Sequence, residues 1–456
     1  MLEPKGHFIP SGLMAIFNCP SNQSDPQYLP YLSAFGHEQC HYLQYIGTSC
    51  GQFLSDLEDM WADAIIGNVR ALLKESRNPK LPLLTWMQTE RDHNRLLIRS
   101  ALYINTMCQR IKDILLLGGP LEEIAMFQFL YRKILKIQSE HILPTWYVDL
   151  KHLPSEHFEE PQIDEMRDNI KTGGHLSSLF GSKSIMECAA IFYQLSLMGR
   201  IEEASEAFKI LPDDVKKGLL NSEGNEEHDA RLYSVLDSFY SEPYRAIEGY
   251  LPDVLIERAH AFRILSDLSL MTPLGKFNCL ITNPSPFDLL PSIRLFRAAE
   301  AFQRLGLTIN TADLQLCYRE NVDAICVDLG WPQPEWIAMH TPRLSNTDVP
   351  FENRGILDLQ LLAASLRRND PSSFAFPRAP LIDELKIPFV FYSDGYSKHG
   401  VPSQMIGSLI GRYYKCLAAE FWITGLRPKL PFNDKDTFAD FFNHIFGIEI
   451  NSMEAI

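Results

Sequence analysis

His37-Glu38-Gln39-Cys40-His41 has the form H-E-x-x-H and lies inside residues 31–48, YLSAFGHEQCHYLQYIGT. The spacing of apolar residues in that stretch predicts a helix, and Pro30 just before it suits a helix start. On a helix, residues i and i+4 point about 40° apart, so His37 and His41 offer two imidazoles one turn apart. Two histidines so placed can bind one zinc ion. Glu38 lies about 100° from His37, near enough to reach a water on a shared metal.

A motif of this form arises by chance in roughly one chain in a hundred of this length, so its surroundings carry the argument. On a helical wheel Leu32, Phe35, Tyr42, Leu43 and Ile46 gather opposite His37. His37, His41, Gln44 and Thr48 share the other side, with Ala34 and Tyr45 flanking. The helix therefore has an apolar back for a core and a separate polar face carrying both histidines. The plain alternative is two solvated histidines on an amphipathic surface helix. Gln44 and Tyr45 stand where they can support the metal ligands from behind. Cys40 falls about 60° from His37 and away from His41, and reads as a small packing residue.

A zinc site needs a third protein ligand and an open position. Residues 184–199 predict a second helix, in which Glu187 falls within an apolar stripe with Ile191, Leu195 and Met198. A lone buried carboxylate is expensive, and a divalent cation would compensate it. Glu187 is therefore the expected third ligand, with an ion pair to an Arg or Lys as the bland alternative. Ala189 and Ala190 would let this helix pack closely on another, and Tyr193 faces away from Glu187. Glu58 is a rival. In a continuous helix it would lie about 30 Å along the axis from His37, so it serves only if the helix breaks between Gly47 and Gly51. Asp59 and Asp63 point away from the stripe Phe53, Leu57, Met60, Trp61 and Ala64. His175, in Thr172-Gly173-Gly174-His175, suits stabilisation of an oxyanion, a fourth ligand position or a plain surface role. Glu38 and His175 are the catalytic candidates.

With these residues in view, the chain resembles zincin-type metallopeptidases of the gluzincin kind, which carry H-E-x-x-H on one helix and a glutamate ligand on a later one. The longer string from His37 to Gln44 also resembles poorly characterised bacterial zincin-like proteins. The resemblance implies Zn²⁺ held by His37, His41 and Glu187, Glu38 as general base, and a peptide or protein substrate. It departs from the better-known gluzincins in the long interval before Glu187. The metzincin extension is absent. In zincins a strand edge near the active site aligns the substrate backbone. Residues 7–17, short and apolar with a glycine, are expected to supply one or two strands there.

Composition narrows the remaining classes. Hydrophobic content of 46% and charged content of 22% are ordinary for a globular protein. A net charge of −15 without a basic patch argues against nucleic acid. Residues 1–30 do not read as a signal peptide, and no apolar run is long enough to span a membrane. Nine scattered cysteines without C-x-x-C argue for reduced thiols and a cytoplasmic protein. Gly181-Ser182-Lys183-Ser184 lacks the first glycine of a phosphate-binding loop, and no G-x-S-x-G elbow is present.

The expected fold is mainly α with a small β component (α+β). Further helices are expected at 52–75, 84–117, 121–140, 202–211, 229–241, 252–270, 288–305, 355–367, 404–426 and 436–445, with a strand at 387–392. The polar segment Pro212 to Asp229 divides a zincin-like, metal-binding catalytic domain (1–211) from a mostly helical domain (212–456) that offers room for a protein partner. The leading functional expectation is a zinc-dependent hydrolase, a metallopeptidase. The alternative is a helical protein-interaction module with a structural or degenerate metal site.

Overall fold

In a computed structural model the chain is mainly α-helical with a small β component, as expected. The structure describes residues 6–21, 29–75, 80–89, 92–120, 127, 130, 178–204, 242–273, 289–339, 350–394, 397–428 and 435–447. Among them β1 (Gly6–Ile9) and β2 (Met14–Phe17) precede the motif helix α1 (Leu29–Gly47). Then come α2 (Ser49–Glu75), α3 (Leu83–Thr89), α4 (Asp92–Leu117), β3 (Gly118–Pro120), β4 (Ser178–Phe180) and α5 (Ser182–Ala204), the helix of Glu187. The later part holds α6 (Glu242–Ile247), α7 (Leu255–Leu270), α8 (Pro291–Arg304), α9 (Leu314–Leu329), α10 (Pro334–Met339), α11 (Phe351–Asn369) and α12 (Ala379–Glu384). It closes with β5 (Phe389–Tyr392), β6 (Ser397–His399), α13 (Ser403–Thr424) and α14 (Lys435–Phe446). No helix among the described residues is long and apolar enough to cross a membrane.

The chain forms two compact units. The first contains Met1–Gln52, Phe180–Ser345 and Ile356–Pro402; the second contains Phe53–Leu179, Asn346–Gly355 and Ser403–Ile456. The expected boundary at Pro212 to Asp229 lies outside the described residues, as do the helix expected at 229–241 and nearly all of that at 121–140.

The first unit is built around α1. A four-stranded sheet of order β1-β2-β5-β6 packs on it. β1 and β2 form an antiparallel hairpin, β2 pairs in parallel with β5 in the register Met14↔Phe389 to Phe17↔Tyr392, and β6 closes antiparallel on β5. Phe8 sets its ring edge-on to Tyr42 and Tyr45 of α1, and Phe17 stacks on Phe35. The other side of α1 meets α5, so the helix is covered nearly all round, and even Gln39 and Thr48 are buried.

The end of α1 is anchored by a buried ion pair. Arg367 of α11 donates from Nε to the Gly47 carbonyl (3.1 Å) and from both terminal nitrogens to Asp267 of α7 (2.8 Å each). Asp267 also accepts from the Tyr318 hydroxyl at 2.6 Å, and the Arg367 guanidinium lies over the Phe374 ring. A cation here satisfies a terminal helix carbonyl and complements the helix dipole. Phe374 leaves no room for a side chain at position 47: a Cβ there would lie 2.0 Å from its ring, so only glycine fits. Thr48 then ends one helix and starts the next. Its hydroxyl donates to the Gln44 carbonyl (2.6 Å) and accepts from the Gly51 amide (3.1 Å), the geometry of an N-cap.

In the second unit α2 and α13 share a charge network around the buried Arg412 and Lys415. Arg412 reaches Asp59 (2.8 Å) and Glu58 (3.3 Å), Lys415 reaches Asp63 (3.0 Å), and Lys112 of α4 reaches Glu58 (3.0 Å). Trp86 of α3 stacks on Trp422 of α13, which packs in turn on Phe442 and Phe446 of α14.

The periodicity expected of the helices holds for α1, α2, α7, α8, α11, α13 and α14, and both expected strand regions form strands. The short helices α6, α10 and α12 and the strands β3, β4 and β6 were not expected, and three larger details differ. The helix expected at 84–117 is two, α3 and α4. The helix expected to end near Gly199 runs on to Ala204, because a single interior glycine costs only about 1 kcal/mol and does not terminate a helix. Helix α9 was not expected from the sequence at all. Its signals are the Asp313 N-cap, whose side chain accepts from the Leu316 amide, and Gly330 in the left-handed conformation at its end.

Candidate metal centre

The three expected ligands come from α1 and α5. Cys40 of α1 packs against Ala190 and Tyr193 of α5 in a buried cluster. This is the close approach expected of the small residues, with Tyr193 turned to the packing side. One turn along α1, Gln44 donates from Nε2 to the Met186 carbonyl at 3.2 Å. These two contacts set α5 so that Glu187 faces the polar side of α1.

There the expected ligands converge. His37 Nε2 and His41 Nε2 are 3.0 Å apart, and Glu187 Oε2 is 3.3 Å from the first and 3.2 Å from the second. These are the three donor atoms that a tetrahedral ion would need on one face. With Zn–N and Zn–O bonds of about 2.0–2.1 Å, ligand atoms of a tetrahedron stand about 3.3 Å from one another. The observed triangle matches that size. The imidazole planes cross at 87°, ring edge to ring face. Side-chain exposures of 16%, 13% and 21% for His37, His41 and Glu187 leave the cluster reachable from solvent. Among the described residues this is the group of ligating side chains close enough to hold a metal ion.

The electrostatics of the cluster fit a missing positive charge. Burial acts to raise the Glu187 carboxyl, but hydrogen bonds from His37 and His41, together with their charge, outweigh it and hold the group well below the usual carboxylate range. Burial acts to lower the His41 imidazole, yet the hydrogen bond and charge of Glu187, then Glu38 and Gln44, raise it on balance. Two ring nitrogens and a carboxylate oxygen at these separations repel unless a proton or a cation lies among them. A divalent cation satisfies all three at once.

Glu38 is buried beside the triad. Burial is the main reason its carboxyl is raised; the charge of Glu187 adds to this, and His41, His37 and His7 offset it in part. The strand β1 passes directly over it. A Cβ at Gly6 would lie 3.0 Å from Glu38 Oε1 and 2.9 Å from the Phe17 ring, so position 6 tolerates nothing larger than glycine without moving one of them.

The rival ligand is engaged elsewhere. The helix does break at Gly47, as its candidacy required, but the Glu58 carboxylate is taken by Lys112 and Arg412. His175 lies outside the described residues. Tyr45 puts its ring on Phe8, whereas Gln44 bonds His41 directly, its Oε1 at 3.2 Å from Nδ1. Gly6 and the Met186 carbonyl are parts of the site that sequence reasoning missed. A contact from a backbone carbonyl or an absent side chain has no residue-type signature.

Comparison of the chain with family models, with curated proteins and with solved structures finds no match. The site is therefore read from its own geometry.

Proposed function

We propose that the protein is a zinc-dependent hydrolase that cleaves peptide bonds. The observation that carries this reading is the triangle of His37 Nε2, His41 Nε2 and Glu187 Oε2, with Glu38 buried beside it. Two histidines and one glutamate form a donor set used by catalytic zinc, which keeps its fourth position open. Bound there, Zn²⁺ would supply Lewis acidity, lowering the pKa of a water towards ~7 and polarising a carbonyl.

The chain's own residues do the rest. His37, His41 and Glu187 hold the ion on a rigid helix pair. Glu38 takes a proton from the attacking water and returns it to the leaving amine. Its buried setting supports this role, since a raised carboxyl is a better base than an exposed one.

The test is elemental analysis of the purified protein beside His41→Ala and Glu187→Ala, with peptide-cleavage assays of Glu38→Gln. About one zinc per chain, lost in both ligand variants, is expected. Glu38→Gln should retain zinc and lose turnover by about 10²–10⁴-fold. Full activity in zinc-loaded Glu38→Gln would rule out the general-base role. A tightly held zinc with no turnover on any peptide would instead mark a structural site.

A further inference from the structure

We propose that Gln44 is a positioning residue that fixes the tautomer of His41 and so prepares its Nε2 for the metal. The inference deepens the zinc reading above and rests on it.

Gln44 is buried and bridges two groups. Its Nε2 is 3.2 Å from the Met186 carbonyl of α5, and its Oε1 is 3.2 Å from His41 Nδ1. A backbone carbonyl only accepts hydrogen bonds, so the amide nitrogen must face Met186. The amide oxygen then faces His41, and it too only accepts. His41 Nδ1 must therefore carry a proton. In a neutral imidazole that leaves Nε2 with its lone pair, directed at the point shared with His37 Nε2 and Glu187 Oε2. One side chain thus reads the backbone next to Glu187 and sets the protonation pattern of His41, three residues before it on α1. Gln44 and His41 are i and i+3 neighbours, so the bond strains neither.

The two histidines are held unequally. His37 Nδ1 is buried, with no hydrogen-bond partner among the described residues. Loss of Gln44 should therefore be felt at His41 and not at His37.

Zinc affinity by chelator competition, and imidazole ¹⁵N spectra of the metal-free and zinc-loaded protein, are to be measured for wild type, Gln44→Met and Gln44→Glu. Gln44→Met keeps the volume and loses both bonds. It should weaken zinc about 10–100-fold, the usual cost of removing a partner behind a ligand. Its His41 signals should shift from the Nδ1–H form to a mixture while those of His37 stay put. Gln44→Glu keeps an acceptor for Nδ1–H but cannot donate to Met186. It should bind zinc at least as tightly as wild type while lowering the melting temperature of the metal-free protein. Affinity and stability would then move in opposite directions. If both variants lose zinc in step with stability, Gln44 is only a strut between helices and the proposal is overturned. If Gln44→Met binds zinc like the wild type, the proposal alone fails. If the wild type takes no zinc, the metal reading fails and the proposal falls with it.

Discussion

Two clusters of acidic side chains in this protein deal with their charge in opposite ways. On α2, Glu58, Asp59 and Asp63 meet Lys112, Arg412 and Lys415, so the network balances itself. On α1 and α5, Glu38 and Glu187 meet two imidazoles, which are neutral unless protonated. With both histidines neutral, that cluster carries two negative charges and no fixed positive one. A single divalent cation restores the balance. A buried carboxylate answered by Arg or Lys is architecture, whereas one answered only by histidines leaves room for an ion.

The sharpest way to break the contrast is to remove a cation from the self-balanced network. Arg412→Ala removes the nearest cation from Asp59 and leaves Glu58 with Lys112 alone, and should cost about 3–5 kcal/mol in denaturant unfolding. The zinc content of the folded fraction should not change. A loss under about 1 kcal/mol would show that solvent, and not Arg412, compensates those carboxylates.

The second comparison removes the ion itself. Zinc at about a thousand times its dissociation constant should stabilise the wild type by about 4 kcal/mol over the chelator-treated protein. Glu187→Ala should erase that difference. An equal response to chelator in Glu187→Ala would place the ion elsewhere.

The two clusters should also differ with pH. His41 is raised in the fold, so its contribution to the metal-free protein is present below the ordinary imidazole value of about 6.5 and lost as pH climbs through the higher folded value. Glu38 is raised as well, so ionising it destabilises the fold above the ordinary carboxylate value of about 4.3. Both act in the same sense. Glu187 is depressed and contributes throughout this range, being lost only in stronger acid. The metal-free protein should therefore melt higher near pH 5 than near pH 8. Zinc reverses the trend, because its ligands must be deprotonated to bind. Melting curves with and without chelator that ran parallel across this range would remove these groups from the account.

The smallest expected effect lies at β1. Gly6→Ala should lower turnover severalfold with zinc retained, since the added methyl displaces either Glu38 or Phe17. Unchanged turnover would mean that Phe17 yields and Glu38 does not.

Much of this arrangement was legible in the sequence, for identifiable reasons. His37, His41 and Glu187 were found because an i, i+4 histidine pair and a carboxylate in an apolar stripe are local patterns, and helices preserve local spacing. Cys40 and Ala190 were found because small residues have few other uses on a packed helix. The wheel of α1 marked a polar face but not the second helix packed against it, which no single segment can announce. Glu58 was a reasonable rival by spacing and lost to Lys112 and Arg412, far away in sequence. Helix α9 escaped although it lies between two good caps and buries Cys317, Tyr318, Asn321, Val322, Ile325 and Cys326, because charged residues break up that apolar run.

The parallel pairing of β2 with β5 has a consequence in time. Ser21, just after β2, bonds Asp394, just after β5, across 373 positions of chain. At a synthesis rate of ~5–20 residues per second, the partner strand follows about 20–75 s after β2. Glu187 needs to follow His41 by only 146 positions. The three donor atoms are thus all present well before the sheet can close. During that interval β2 offers an unpaired edge, a template for the wrong partner. Early capture of an ion would join α1 to α5 while the hairpin still waits for its neighbour. The donor cluster, in a nascent chain, is the older half of the fold.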